Sequence, residues 1–510
     1  MDRHTDPVAP ALRAIDSLPG PSGLPWLGNL LQIDPHRFHT QLEQWCRAHG
    51  PVFKLRAAGR RILVVGDHAL VATILRDRPD GFRRTLKFEQ IGVEMGLPPG
   101  VFGANGESWR AQRRMVMAGF DPSHVKGYFP SLRKVALRLG GRWQQAARQG
   151  REIDLQADLM RFTVDAIAEL AFGADVNTLE SDDDVIQQHL DKIFPALARR
   201  LLAPFPVWRV WRSAADRQLE RSLVEVKAAV AGFIAQARAR LQAEPDLRAR
   251  PRNLLQAMIK AADAPDSGID DRLVAGNVLT MLLAGEDTTA NTVAWMIYLL
   301  WRNPEALARA SAEVRRVMGD LADDAAGGLT LERLAELDYV EACAHETMRL
   351  KPVAPILPLQ ALHDLTVGDV QVPAGTVVIS LLRRDSVSEA FVPRAAAFEP
   401  ERWLADRVPG EHGAAGRLAS SVKRSAMPFG AGPRICPGRY LALLEMKMAM
   451  AVLLGRFDIV AVDTPDGGEA REHLSFTLAP VGLRMRLAER RPGAVASAAG
   501  SSAGRSAMPG

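Results

Sequence analysis

Cys436 lies in the stretch Phe429-Gly430-Ala431-Gly432-Pro433-Arg434-Ile435-Cys436-Pro437-Gly438. Three glycines and two prolines around one cysteine describe a tight backbone loop, and apolar spacing predicts a helix after it, from Arg439 to Leu454. Exposed backbone N–H groups and the positive end of that helix favour a thiolate at Cys436. An inert cysteine in a turn is the plainer alternative. A dinucleotide loop is excluded, because Gly430-Ala431-Gly432 begins G-x-G but the third glycine position is Ile435 and no strong strand precedes it.

Other groupings could also do chemistry. Ala284-Gly285-Glu286-Asp287-Thr288-Thr289 sets acids and alcohols inside a helical run. Gly285 weakens that helix by up to about 1 kcal/mol, and threonine hydroxyls bonding back to helix carbonyls can open a groove beside a ligand. A helix-packing site with solvated acids reads the same segment equally well. Glu346 and Arg349, at i and i+3, read alone as an ordinary surface pair. Trp109 and Arg113, with Arg114 beside them, share a helix face that could hold an anion or merely set a half-buried indole beside solvated arginines. Phe398-Glu399-Pro400-Glu401-Arg402-Trp403 is loop-like and carries no chemistry by itself.

These residues need rigid elements to hold them. Apolar spacings of three and four predict helices over Asp154–Phe172, Asp216–Leu241, Asp270–Arg302 and Glu341–Leu350. Strands are expected in Pro51–Val65 and Leu365–Leu382, with Pro373-Ala374-Gly375-Thr376 turning a hairpin. The fold class is therefore mainly α with small β-sheets. The Asp270–Arg302 helix would run roughly 50 Å, enough to cross a domain. Glu286 and Asp287 interrupt it, so neither uncharged run reaches the roughly 18 residues of a membrane span. It is a buried helix with acids at its centre.

The 510 residues carry 64 Lys+Arg against 59 Asp+Glu, a net +5, with 47% hydrophobic and 24% charged residues. That balance excludes a disordered chain, a collagen-like repeat and a disulfide framework. No Lys-rich tract or aromatic–basic pattern suggests nucleic acid. Three cysteines, Cys46, Cys343 and Cys436, fit a reducing compartment. Met1–Leu18 carries charges every few residues, so it reads as neither a signal peptide nor an anchor. Pro19 to Asn29 is a turn-rich lead-in, and Pro492–Gly510 is almost entirely Ala, Gly, Ser and Pro. The expected organisation is a flexible segment over 1–18, one domain over 19–488 and a disordered tail over 489–510.

In this order and spacing the segments resemble one family, the cytochrome P450 haem-thiolate monooxygenases, from about Pro19 to Leu487. Phe429–Gly438 matches the family's haem loop, F-x-x-G-x-R-x-C-x-G, at every fixed position. Glu346 and Arg349 match E-x-x-R, Ala284–Thr289 matches A-G-x-[DE]-T-T, Trp109–Arg113 matches W-x-x-x-R, and Phe398–Trp403 resembles its P-E-R-W segment. The resemblance implies the P450 fold, with haem b (iron protoporphyrin IX) buried between the long central helix and the helix after the Cys loop. It makes Cys436 the iron ligand, with Phe429, Gly430 and Gly438 shaping the loop and Ala284 and Gly285 lining the ring. Arg434, Arg113 and Trp109 would hold the propionates. Thr288 and Asp287 would form the proton-relaying alcohol–acid pair, and Glu346, Arg349 and Arg402 a buried structural triad.

Two departures stand out. Pro352–Leu382 contains no Arg where many relatives place another propionate partner, and the frequent H-R-D appears as Arg383-Arg384-Asp385, where Arg383 could serve instead. The resemblance implies a cytoplasmic, bacterial-type monomer without a membrane span. It would insert one atom of O₂ into a lipophilic substrate, a fatty acid or a terpenoid, with Arg199-Arg200 facing a carboxylate or simply solvated. With few residues after the haem loop, electrons are expected from a ferredoxin or flavodoxin and its NAD(P)H reductase. That donor would dock on a basic patch of Arg110, Arg114, Lys423, Arg424 and Lys447. The competing readings are a peroxide-using or isomerising haem-thiolate enzyme and a non-catalytic haem or small-molecule binding protein.

Overall fold

A computed structural model of the chain describes residues 12–490, except 121, 182–184, 191, 204, 320–327 and 405–421. Ten helices frame the argument: α1 (Phe38–His49), α2 (His68–Arg76), α3 (Leu86–Glu94), α4 (Gly106–Gly119), α5 (Leu155–Phe172), α6 (Ile193–Leu202), α7 (Ala214–Ala243), α8 (Asp271–Arg302), α9 (Asp338–Leu350) and α10 (Arg439–Arg456). The predicted helices lie where the periodicity placed them, and side-chain caps fix their starts. Asp154 accepts from Ala157 N–H, and Ser213 and Asp216 close a capping box on α7.

Helix α8 is the beam of the molecule, about 48 Å long at 1.5 Å per residue. Its first turn is capped by Asp270, which accepts from Leu273 N–H at 2.8 Å. Its broadest contact is with α5, and it also packs on α9 and α10. Gly285 makes the α5 crossing close: a Cβ there would lie 3.1 Å from Ile167 Cγ1. The helix stays continuous through Gly285 and its threonines, so the groove expected there does not break it. Burial of Val293, Ala294, Trp295, Met296 and Ile297 at 0% exposure explains why the chain is helical here despite β-branched residues. Packing overrides propensity.

Eight strands build two of the sheets. They are β1 (Arg13–Ala14), β2 (Val52–Ala57), β3 (Arg60–Val65), β4 (Phe82–Arg83), β5 (Ile356–Ala361), β6 (Leu365–Val367), β7 (Val370–Val372) and β8 (Val377–Leu381). A five-stranded sheet runs β2-β3-β8-β5-β4, and a small sheet runs β1-β7-β6. The expected hairpin at Pro373–Thr376 is not one. The hairpin joins β6 to β7 through Gly368 and Asp369, where Gly368 takes φ +59°. Pro373–Thr376 instead carries the chain from the small sheet into the larger one. The small sheet also orders part of the amino-terminal segment expected to be flexible: Arg13 pairs with Val370, and Ile15 and Leu18 are buried. At the other end Glu489 closes a strand against Phe457. Residues 1–11 and 491–510, the rest of the segments expected to be flexible or disordered, lie outside the described residues.

Candidate active site

The cysteine loop is shaped by glycine where no other residue fits. Gly430 and Gly432 take φ of +74° and +70°, and a Cβ on Gly432 would lie 2.7 Å from Arg76 Cα and Leu75 O at the end of α2. Cys436 N–H donates to Phe429 O at 3.0 Å, closing the loop. Burial pushes the Cys436 thiol up, opposed by a Gly438 N–H hydrogen bond to the sulfur and by the charges of Arg113 and Arg439. These donors stabilise a thiolate only in part. A cation bound at the sulfur would complete the deprotonation.

Facing the loop, α8 presents Ala284, Gly285, Thr288 and Thr289 to a cavity of about 1560 Å³ that also exposes Cys436. Thr288 Oγ1–H donates back to Ala284 O at 2.7 Å, which leaves its lone pairs free for a proton from the cavity. Asp287 does not join it on that wall. Its carboxylate accepts from Asn291 Nδ2 at 2.7 Å and from the Thr477 hydroxyl, and burial raises its pKa against those two bonds. A carboxyl that sequence reasoning passed over does line the cavity: Glu445 of α10, buried and hydrogen-bonded by Thr289, is pushed up to about 8. An acid in the otherwise apolar run Leu441–Leu444 to Met446 was the available signal.

One rim of the cavity is cationic. Arg113 donates to Ile435 O at 2.7 Å, and the Arg434 guanidinium stacks 4.7 Å from the ring centroid of Trp109, itself 6% exposed. Burial lowers Arg434, with Arg113 next, and Arg434 Nε has no partner. Arg78 and Arg84 also line this space and were missed in the sequence, where neither sits in a recognisable motif. Away from the rim the walls are apolar, with Phe88, Phe102, Ile167, Leu201, Met281 and Phe476. Cations that have no carboxylate partner among the described residues, a half-buried thiol and a large apolar slot fit a flat macrocycle that carries carboxylates and a thiolate-seeking iron. Haem is such a group.

The Glu346–Arg349–Arg402 grouping is buried, and its tight pair is Glu346 with Arg349. Arg349 donates to both oxygens of Glu346 at 2.7 and 2.8 Å and to the carbonyls of Ser386, Ala395 and Ala397. Arg402 Nε stands 3.4 Å from Glu346 Oε1. Three sequence expectations find other positions. Arg383 gives its charge to Glu43 and Glu472. Arg199 and Arg200 both bond Asp216; Arg200 is buried there, while Arg199 stays half exposed to solvent. Lys447 is 7% exposed and paired with Glu341, which removes it from any surface patch.

The family model described as Cytochrome P450 matches residues 18–485. A self-sufficient cytochrome P450 monooxygenase of Phanerodontia chrysosporium is 27% identical over 90% of this chain and 42% of its own length. A chloroplastic cytochrome P450 of Glycine max is 27% identical over 84% of this chain and 79% of its own. In structure, a crystal structure of the cytochrome P450DA heme domain superposes with a TM-score of 0.78 at 25% identity, covering 94% of this chain and 99% of that one. The chain thus spans less than half the length of the self-sufficient relative. Among the described residues no helix is long and apolar enough to cross a membrane.

Proposed function

The chain belongs to the cytochrome P450 family, whose cofactor is haem b, and we propose that it is the haem-bearing part of a monooxygenase acting on a lipophilic substrate. The overall change converts R–H, O₂, two electrons and two protons to R–OH and water. Haem supplies the oxygen-activating chemistry when bound. The observation that carries this reading is that Cys436 and Thr288 line the same cavity.

The chain's own residues divide the work. Cys436 gives iron a thiolate ligand, and the Gly438 N–H tunes that sulfur. Trp109, Arg113 and Arg434 hold the carboxylate edge of the ring. Thr288 gives and takes a proton at Oγ1 on the side opposite the sulfur. Asp287, held by Asn291 and Thr477, fixes the turn of α8 that carries Thr288 and acts as a proton holder behind it. Phe88, Phe102 and Phe476 keep water out and select apolar substrates such as a fatty acid or terpenoid. Electrons arrive from a ferredoxin or flavodoxin served by an NAD(P)H reductase. The relative named self-sufficient keeps a fused donor as the second source. Buried, unpaired Cys46 and Cys343 suit a reducing, cytoplasmic setting.

The test is spectroscopic. Loaded with haem b and reduced under CO, the protein should show the red-shifted band of thiolate ligation, and Cys436→Ser should abolish it. Persistence of the band in the variant overturns the assignment. A lipophilic library, screened by its shift of the haem spectrum and then by NADPH-dependent product formation with a surrogate donor, identifies the substrate.

A further inference from the structure

The segment after the Glu346–Arg349 helix carries no arginine from Pro352 to Leu382. The structure shows what lies beside it. Strand β4 pairs antiparallel with β5, Phe82 opposite Ala361 and Arg83 opposite Gln360. This register sets Arg84 at the exit of β4, next to the strand that lacks the cation, and Arg78 four residues before β4. Arg83 itself is taken by Glu89.

Arg78 is 4% exposed, lines the cavity, and leaves Nε and Nη2 without a partner. Arg84 lines the same space with its guanidinium 3.9 Å from the Phe102 ring centroid and Nε donating to Phe102 O at 3.1 Å. Among the described residues neither has a carboxylate partner. Glu89 is engaged by Arg83 and Asn105, and Asp80 by Arg110. Burial lowers both guanidinium pKa values, and the neighbouring arginines, Arg84 and Arg434 for Arg78 and Arg434 for Arg84, lower them further. A guanidinium keeps its proton at physiological pH, so the cluster is a standing demand for negative charge.

We propose that Arg78 and Arg84 anchor a haem propionate, supplying from the β4 side the positive charge that the neighbouring strand lacks. This rests on the haem reading above. Its test is kept separate from that reading by asking first whether the unaltered protein takes up haem with a Cys436-dependent spectrum.

Arg78→Gln and Arg84→Gln, singly and together, are titrated as apoprotein with haem and with haem dimethyl ester, whose propionates are capped. Loss of a charge-assisted bond should weaken haem binding about tenfold or more per arginine. For the ester, variants and parent should bind alike. Thermal unfolding supplies a second sign. Without haem the Arg78→Gln protein should melt higher than the parent, because an uncompensated buried charge is gone; with haem it should melt lower. Equal weakening toward haem and its ester, or lower melting in both states, marks a purely structural role and overturns the proposal. Unchanged haem affinity in the double variant does the same. Arg84→Lys, which keeps the charge, should recover part of the affinity.

Discussion

The indole N–H of Trp403 donates to Glu346 Oε2 at 2.9 Å, onto the same carboxylate that Arg349 grips through both oxygens. Glu399 N–H adds a further bond at 2.9 Å to Oε1. One buried acid therefore ties α9 to the Pro400–Trp403 turn, and through α9 to α10 behind the cysteine loop. Glu346→Gln keeps the shape but takes the counter-charge from the Arg349 guanidinium, while Arg402 keeps Glu399. Removing one partner of a buried pair costs about 3–5 kcal/mol. Urea unfolding of the apoprotein should show a loss of that order, with a fall in haem incorporation. A midpoint unchanged from the parent would mean the carboxylate contributes nothing as an ion.

Thr288 offers a different readout, since its bond to Ala284 O is local and its loss leaves the packing of α8 intact. Thr288→Ala should bind haem and substrate normally while product formed per NADPH falls by roughly tenfold or more, with peroxide rising to match. An unaltered ratio removes Thr288 from proton transfer and leaves the cavity-lining Glu445 as the group to replace next.

How far the sequence reached is clearest from these residues. Cys436, Trp109, Arg113, Arg434 and Thr288 come from contiguous motifs, and the structure brings all five around one cavity. Arg78 and Arg84 belong to no motif, and their meaning comes from strand register between segments about 280 residues apart, which no local pattern encodes. Asp287 shows the converse limit. The family resemblance paired it with Thr288, but a 100° step per residue turns adjacent side chains to different faces, and Thr477 from a distant loop captures the acid. The helix periods were legible because each buries a stripe. The β6–β7 hairpin was misplaced because Pro373 and Gly375 punctuate more loudly than Gly368 and Asp369.

Glu472 makes acid sensitivity predictable. Burial raises its carboxyl, but the His39 hydrogen bond and the charges of Arg383 and Lys351 outweigh that and hold it well below the ordinary carboxylate range. A depressed native pKa adds stability above the unfolded value, roughly pH 4.3, which is lost as pH falls through and below it. Glu472→Gln should therefore lower stability at pH 7 and flatten its fall between about pH 5 and 3. Parallel stability–pH curves for variant and parent would show that the cluster around Arg383 does not titrate with unfolding.

The basic patch expected to receive an electron donor is smaller than the sequence suggested. Arg110 is neutralised by Asp80 and Glu107, and Lys447 is buried against Glu341. Arg114, Lys423 and Arg424 remain exposed; they lie on the helix that carries Arg113 and in the segment entering the cysteine loop. A negatively charged donor would be drawn there over a screening distance of roughly 8 Å at physiological salt. Dry docking on exposed Tyr440 is the competing contact, and it predicts no salt dependence. Charge reversal at Lys423 and Arg424 should slow first-electron transfer from an acidic ferredoxin by about tenfold or more at low ionic strength. It should flatten the salt slope and leave substrate-induced spectral shifts unchanged. Stopped-flow reduction rates and salt slopes that match the parent's would move the docking site away from this face.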